Sequence, residues 1–336
     1  QLLEKRNRNV VVLASGDPFW FGVGGTIARH LRPSEWMCIP GPSTFSLAAS
    51  RLGWKIEDSI PLGLHNSPIE TLINFAYKDQ QLIILCKDAD AVKKIQKWFL
   101  DNKFSDSEFW VMEKLGGPSE RVRKVSIKGN NKYRIQTPVA VAIKVKGDAI
   151  MSSSPGLPSR IFAHDGQITK KHMRALTMAE LSPRPGEVLW DLGAGSGSIS
   201  IEWCRLNHSN LALALERDHK RIKNLQNNVS KFGLSNQVDI INTDLPNIPK
   251  NLKTPNAIFI GGGLTSILLE KIWTLAKPGT KIIANAVTLE TEKVLLEWNT
   301  VKGGALMRIN IAYVEKIGKR MGWRPIMPVL QWSVIK

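Results

Sequence analysis

The sequence predicts an α/β protein made of two units. Three observations carry that expectation. Short apolar, β-rich runs alternate with amphipathic stretches through both halves of the 336 residues, the pattern left by strands joined through helices. A stretch of turn formers between Gly147 and Gly166, centred on Ser152-Ser153-Ser154-Pro155-Gly156-Leu157-Pro158, interrupts that alternation. The length itself suits about two ordinary domains. The division is expected at residues 1–147, a linker at 148–165, and a second domain at 166–336. No internal repeat relates the halves.

The first half opens on a strand-like apolar run, residues 10–14, that feeds into Ser15-Gly16-Asp17-Pro18 and then Phe21-Gly22-Val23-Gly24-Gly25. A strand ending in a glycine-rich turn is where α/β folds place ligand loops. Residues 36–39 lead into Pro40-Gly41-Pro42-Ser43, whose serine, or Thr44, can cap a helix to about Leu52. Residues 81–85 read as a strand and 89–100, amphipathic and lysine-rich, as a helix. Strands are expected at 109–113 and 139–145. The basic cluster Arg121, Arg123 and Lys124 between them reads as a solvated face.

In the second half Thr169 can cap a helix through about Leu181, ended by Pro183-Arg184-Pro185-Gly186. A strand over 187–192 runs into a glycine turn and a helix over 198–206. Further strands are expected at 211–215, 238–242, 257–260 and 281–286, with a helix at 220–232. Residues 305–313 and 329–334 look like a closing antiparallel pair. The sheet should be mostly parallel.

Composition narrows the class. Hydrophobic residues at 43% and charged residues at 22% are globular values. Lys and Arg number 46 against 29 Asp and Glu, a net charge of +17 divided as +7 in residues 1–150 and +10 in 151–336. A field of that sign attracts nucleic acid, anionic membrane or small acidic substrates. No apolar run reaches the roughly 18–20 residues of a membrane span, and the opening residues lack a secretory layout. Cys38, Cys86 and Cys204 are odd in number and far apart, which argues against a disulfide framework or a metal site and suits a reducing, cytoplasmic interior. Each reads as a buried, inert thiol.

The chemistry concentrates at loop ends of the second half. Val188-Leu189-Trp190-Asp191-Leu192-Gly193-Ala194-Gly195-Ser196-Gly197 is a strand, an acid and a glycine turn opening a helix. Glycines let backbone turn sharply and approach a ligand where a Cβ would clash. A dinucleotide fingerprint would need glycine where Ser198 stands. Asp191 suits a cationic sulfonium ligand with an ammonium group nearby. Glu216, ending the next strand, can accept both ribose hydroxyls, and Asp244, ending the third, is placed for an adenine amino group. Gly261, Gly262 and Gly263 end the fourth. One glycine run alone is weak; four loop ends in register, three with acids, form a specific pattern.

That pattern resembles the class I S-adenosylmethionine methyltransferases. With Pro155-Gly156-Leu157-Pro158, His164-Asp165-Gly166-Gln167-Ile168-Thr169-Lys170, Arg174-Ala175-Leu176-Thr177 and Glu202-Trp203, residues 155–336 resemble the C-terminal half of the decarboxylating precorrin-6B (precorrin-6Y) C5,15-methyltransferase family of corrin synthesis. The first half, through Ser15-Gly16-Asp17-Pro18, Phe21-Gly22, Ile39-Pro40-Gly41-Pro42-Ser43, Cys86-Lys87-Asp88, Glu113 to Arg121 and Thr137-Pro138, resembles the type III tetrapyrrole methylases. The fold implied is thus a two-lobed tetrapyrrole methylase domain followed by a Rossmann-like class I methyltransferase domain. The resemblance implies a truncated first domain, lacking the family's opening strand and glycine-rich loop; the sequence is read as a fragment or an incomplete gene model, a defective lobe being the alternative. Carried over as cofactor contacts of that domain are Gly16, Asp17, Phe21, Ser43 and Leu115.

The resemblance implies methylation of a reduced tetrapyrrole at C5 by the first half and at C15 by the second, with loss of the C12 acetate carboxyl. S-adenosyl-L-methionine is the implied cofactor, the polycarboxylate macrocycle the implied partner, and a homo-oligomer is expected, with no nucleic acid, membrane or metal. Methyl transfer from a sulfonium rests on alignment more than on acid–base groups, so no catalytic acid or base is assigned. Thr169, Lys170, Lys171, His172 and Arg174 are candidates for a basic rim that binds substrate carboxylates; a solvated helix face is the alternative. Two rival readings are an RNA methyltransferase, since basic charge suits a polyanion, and a non-enzymatic basic nucleic-acid module. The first lacks an appended RNA motif and the second leaves the register of Asp191, Glu216 and Asp244 unexplained. A serine hydrolase is excluded because Ser196 and Ser198 lack the Gly-x-Ser-x-Gly frame.

Overall fold

The structure is a computed structural model that describes residues 9–65, 67–129, 134–147 and 151–336. The chain divides into two compact units between Ile150 and Met151. Residues 1–8 of the expected first domain and 148–150 of the expected linker lie outside the described residues.

The first unit contains α1 (Gly24–Ala28), α2 (Thr44–Leu52), β1 (Ser59–Gly63), β2 (Gln81–Cys86), α3 (Ala89–Asp101), β3 (Glu108–Glu113), β4 (Arg121–Val125) and β5 (Val139–Lys144). Ser43 caps α2 and Asp88 caps α3 through side-chain oxygens that accept from Ser46 N and Ala91 N, each satisfying an orphan donor of the first turn. The sheet runs β1-β2-β5-β3-β4; only β1 and β2 are parallel, and the other pairings are antiparallel. Alternation of side chains along the strands gives the sheet two apolar faces. Leu82, Ile84, Val141 and Ile143 face Val92, Ile95 and Phe99 of α3, while Ile83, Met112 and Ala142 face Phe45, Ala48 and Ala49 of α2.

Two expectations change here. Residues 10–14 form no strand; Val11 and Leu13 are 84% and 93% exposed. Among the described residues no strand pairs with them, and an unpaired run gains neither ladder hydrogen bonds nor burial. The Arg121, Arg123 and Lys124 cluster, expected as a solvated face, lies on β4: Arg121 and Lys124 are exposed, but two of the three charges are tied to a buried acid. Arg121 Nε and Arg123 Nη2 bind the buried Glu113 carboxylate at 2.8 and 2.7 Å. β1 went unforeseen because Pro61 and Gly63 sit within it, residues tolerated on an edge strand.

The second unit contains α4 (Lys171–Leu181), β6 (Val188–Leu192), α5 (Ser198–Leu206), β7 (Leu211–Glu216), α6 (His219–Lys231), β8 (Val238–Asn242), β9 (Ala257–Ile260), α7 (Ser266–Leu275), β10 (Lys281–Ala286), α8 (Leu289–Lys302), β11 (Ala305–Ile309), β12 (Ala312–Ile317), β13 (Arg320–Pro325) and β14 (Val329–Ile335). The seven-stranded sheet runs β11-β14-β10-β9-β6-β7-β8. β8, β7, β6, β9 and β10 are parallel, and β14 and β11 close the edge antiparallel. The chain reverses direction of strand addition between β6 and β9, so a crevice opens there beyond the carboxyl ends. Parallel strands buried on both faces read as continuous apolar runs, and β7 and β9 are such runs. Ile282, Ala284 and Ala286 of β10 join the core under α7 and α8, leaving Asn285 on the side of α4.

Four differences follow from the structure. Thr169 does not cap α4: Lys170 is the N-cap residue and no side chain caps it. Residues 151–165, expected as linker, belong to the second unit; the N–H groups of Gly156 and Leu157 donate to the Glu202 carboxylate. α7 and α8 were not anticipated, though Thr265 and Thr288 cap them. The strand expected over 305–313 breaks after Ile309; β12 and β13 instead form a separate hairpin around Gly318. Among the described residues no helix is long and apolar enough to cross a membrane.

Candidate active site at the carboxyl edge of the second sheet

A cavity of about 1010 Å³ lies at the carboxyl ends of the second sheet, lined from Gly166–Lys170, the 193–196 turn, the ends of β7, β8 and β9, and Ile326, Met327 and Val329. Of the residues singled out in the sequence, it brings together Asp191, Gly193, Gly195, Glu216, Asp244, Gly261, Gly262, Thr169 and Lys170.

Asp191 ends β6 with its side chain 1% exposed. Its Oδ2 accepts from Ser200 N at 3.1 Å and Ser200 Oγ at 2.6 Å, which ties the strand to the first turn of α5. Its Oδ1 is buried without a partner. Burial lifts the carboxyl to about 6 against the two Ser200 hydrogen bonds, and the neighbouring Glu216 charge adds to the rise. An orphan buried carboxylate oxygen on a residue that lines the cavity fits an ammonium or sulfonium group.

Glu216 is nearly filled. Oε2 accepts from Gly195 N at 2.8 Å, and Oε1 accepts from Arg217 N and Asp218 N at 2.9 and 3.0 Å. A carboxylate has about four lone-pair sites, so one remains for a ribose hydroxyl, where the sequence suggested two. Asp244 is more open and pairs with Arg217 at 3.1 Å, an exposed contact that contributes little.

The glycines divide by role. Gly193 has φ +70°, and a Cβ there would lie 2.7 Å from the Gly262 carbonyl oxygen, so the two loops meet at the switch point. Gly195, with φ +57°, has open space where its Cβ would be, the form of a cradle for a ligand. Gly197 does not line the cavity. Its φ is +73°, and a Cβ would fall 1.9 Å from Leu225 Cδ1; it serves the packing of α5 on α6.

The expected basic rim holds only in part. Lys170 lines the cavity, but His172 does not; its ring lies 6.0 Å from that of Tyr313. Arg174 is fully buried. Its guanidinium binds Glu202 Oε1 at 2.8 Å and the carbonyls of Thr169 and Leu157, so it cannot reach a substrate carboxylate. The basic residues on the wall are Lys170, Arg217 and Arg221. Arg221 holds Asp165 at 2.9 Å.

In the first unit the five carried-over residues cluster about α2. A Cβ on Gly16 would lie 3.9 Å from Ser43 Cα and Thr44 N. Phe21, at φ +55°, sets its ring 5.4 Å from Phe45, and Leu115 packs on the same cluster. Asp17 Oδ1 accepts from Phe19 N and Trp20 N at 2.7 and 3.1 Å, and the Ser43 hydroxyl is engaged by Ser46. These two side chains therefore shape loops. What they leave for a ligand is backbone.

All three cysteines are free. Burial raises Cys86 to about 12 and lifts Cys204 further, so neither supplies a thiolate. The residues missed in the sequence are Asn285 and the buried Thr177 and Gln331 behind it. A polar residue inside the apolar run of β10 was the available signal.

Comparison with known proteins finds a family for each part of the chain. Residues 160–336 match the precorrin methyltransferase domain family, and residues 1–129 match the tetrapyrrole (corrin/porphyrin) methylases. The chain is 38% identical to a precorrin-6Y C(5,15)-methyltransferase [decarboxylating] of Sinorhizobium sp, over 100% of this chain and 82% of that protein. It is 36% identical to the protein of the same name from Mycobacterium tuberculosis, over 97% and 82%. The crystal structure of the C-terminal domain of precorrin-6Y C5,15-methyltransferase from Rhodobacter capsulatus is 47% identical, with TM-score 0.54, covering 55% of this chain and 100% of that one.

Proposed function

The chain belongs to the family of decarboxylating precorrin-6Y C5,15-methyltransferases, and from that premise we propose that it methylates precorrin-6B at C5 and C15 and removes the C12 acetate carboxyl. The methyl donor is S-adenosyl-L-methionine, which when bound supplies a methyl carbon already activated by a sulfonium charge. The observation that carries the reading is the register of Asp191, Glu216 and Asp244 along one cavity, in a chain whose two units each match a precorrin or tetrapyrrole methylase family.

The residues divide the work. Asp191 Oδ1 would take the ammonium of the donor, the open site on Glu216 a ribose hydroxyl, and Asp244 the adenine amino group. Gly193, Gly195, Gly261 and Gly262 let backbone approach. Alignment of acceptor carbon, methyl and sulfur then supplies much of the rate. Met173, Ile326, Met327 and Val329 make the other wall apolar. Such a wall suits the hydrocarbon faces of the macrocycle and would strip water from a carboxylate, favouring its loss as carbon dioxide. Lys170 and Thr169 would meet the outer carboxylates. In the first unit the backbone of the 15–17 and 41–43 loops and of Leu115 would hold a second donor. The cytoplasm is the proposed compartment, where free cysteines persist.

Mass spectrometry of precorrin-6B incubated with the chain and S-adenosylmethionine tests the reading. Two methyl gains with loss of one carbon dioxide are expected. One methyl gain with decarboxylation would confine the chemistry to the second unit, and no methyl gain would refute the proposal.

A further inference from the structure

Asn285 occupies a position in the cavity wall that the methyl-donor contacts leave unexplained. It is the last but one residue of β10, paired across the sheet with Gln331 of β14, and it lines the cavity. Its neighbours in β10, Ala284 and Ala286, are buried apolar residues. A polar side chain in such a run is retained against an apolar alternative only where its hydrogen bonds are made.

Those bonds fix the amide. Asn285 Nδ2 donates to Thr177 Oγ1 at 3.1 Å, and Asn285 Oδ1 accepts from Gln331 Nε2 at 2.8 Å. Gln331 Nε2 also donates to Thr177 Oγ1 at 3.2 Å. Thr177 and Gln331 are 0% and 1% exposed. Gln331 Oε1 is buried with no hydrogen-bond partner, a cost that the wall bears while both Gln331 donors stay engaged. An amide so held cannot rotate to suit a ligand. It presents one N–H and one lone pair in a set direction, which is how a site pre-organises a polar contact.

Position keeps the donor's nucleoside away from Asn285. Glu216 and Asp244 end β7 and β8, whereas β10 lies three and four strands away in the order β8-β7-β6-β9-β10. At about 4.8 Å per strand that is roughly 14 to 19 Å, too far for a nucleoside bound at the two acids to touch Asn285. The apolar residues Met327, Val329 and Val287 lie at this same end of the cavity. We propose that Asn285 is the residue that grips the acceptor ring, its free Nδ2 hydrogen donating to a carboxylate of the bound precorrin, with Thr177 and Gln331 as the positioning residues that aim it. This rests on the reading of the chain as a precorrin methyltransferase.

The test titrates precorrin-6B into the full chain in the presence of S-adenosylhomocysteine, and separately titrates S-adenosylhomocysteine alone. Asn285→Ala should weaken precorrin binding by about tenfold or more, the value of a hydrogen bond to a charged group, and leave S-adenosylhomocysteine affinity within about twofold. Thr177→Val and Gln331→Leu should give smaller losses that do not add to that of Asn285→Ala, because they act through it, and Thr177→Ser should restore binding. Should Asn285→Ala lose its circular dichroism, Asn285→Asp, equal in size and carrying a repelling charge, takes its place with the same expected loss. Unchanged precorrin affinity in a folded Asn285 variant, or an equal loss for both ligands, overturns the assignment alone. A wild-type chain that fails to bind precorrin-6B overturns it together with the proposed function.

Discussion

Arg174 and Glu202 form an ion pair, Nε to Oε1 at 2.8 Å, with both side chains sealed from solvent. Glu202 also accepts from Gly156 N at 2.6 Å and Leu157 N at 3.0 Å, and Arg174 also donates to the Leu157 and Thr169 carbonyls. The pair therefore staples the 155–158 segment and the start of α4 onto α5, the helix that follows the glycine turn. Its hydrogen-bonding groups are matched. Loss of one partner would leave the other charged and buried.

Arg174→Met is accordingly expected to cost the second unit about 3–5 kcal/mol, the cost of breaking a buried pair. Glu202→Leu should cost a similar amount. The double variant Arg174→Met/Glu202→Leu should cost clearly less than the two together, since no uncompensated charge is left. Urea unfolding of the three variants, followed by fluorescence, checks this. Additive losses would mean that the two side chains act independently.

Asp191 sets a pH dependence for ligand binding. Burial lifts its carboxyl to about 6 because it disfavours the charge. A ligand ammonium needs the charged form, so binding must draw the carboxyl pKa down and release a proton near pH 6. Affinity for S-adenosylhomocysteine should thus be level above about pH 7 and fall by roughly tenfold per unit below pH 6. Asp191→Asn should bind weakly at every pH with no such slope. Calorimetry across pH 5–8 reads both, and a wild-type profile as flat as that of the variant would remove Asp191 from the site.

Much of the second unit was legible because parallel strands buried on both faces leave continuous apolar runs, as residues 211–215 and 257–260 do, and because a glycine turn after an acid marks the switch point. The burial of Arg174 was not legible. Its partner Glu202 lies 28 residues away, in a helix buried from Ser198 to Cys204, and a charge on a helix face looks solvated until its partner is known. Residues 10–14 misled for the opposite reason: the run is apolar, but a strand exists only through its neighbours. Asn285 was visible as a polar break in β10, yet only the structure joins it to Thr177, which is 108 residues distant. Periodicity reports which face is buried. It does not report which polar groups meet there.

The glycines of the 193–197 turn separate packing from binding. Gly197 meets Leu225 at 1.9 Å once a Cβ is added and has φ +73°. Gly197→Ala therefore combines left-handed backbone strain of about 1–2 kcal/mol with overpacking of about 1–3 kcal/mol, and should lower stability while the residual folded protein still binds S-adenosylhomocysteine. Gly195 has φ +57° and nothing within 4 Å of its added Cβ. Gly195→Ala should carry the strain alone, about 1–2 kcal/mol, but place a methyl group in the space read as the ligand cradle, and should lose affinity by more than it loses stability. Thermal melts paired with calorimetry on the two variants decide between the roles. Equal loss of affinity in both, in proportion to their stability, would mean that the turn supports the cavity only through the fold and that Gly195 makes no room for a ligand.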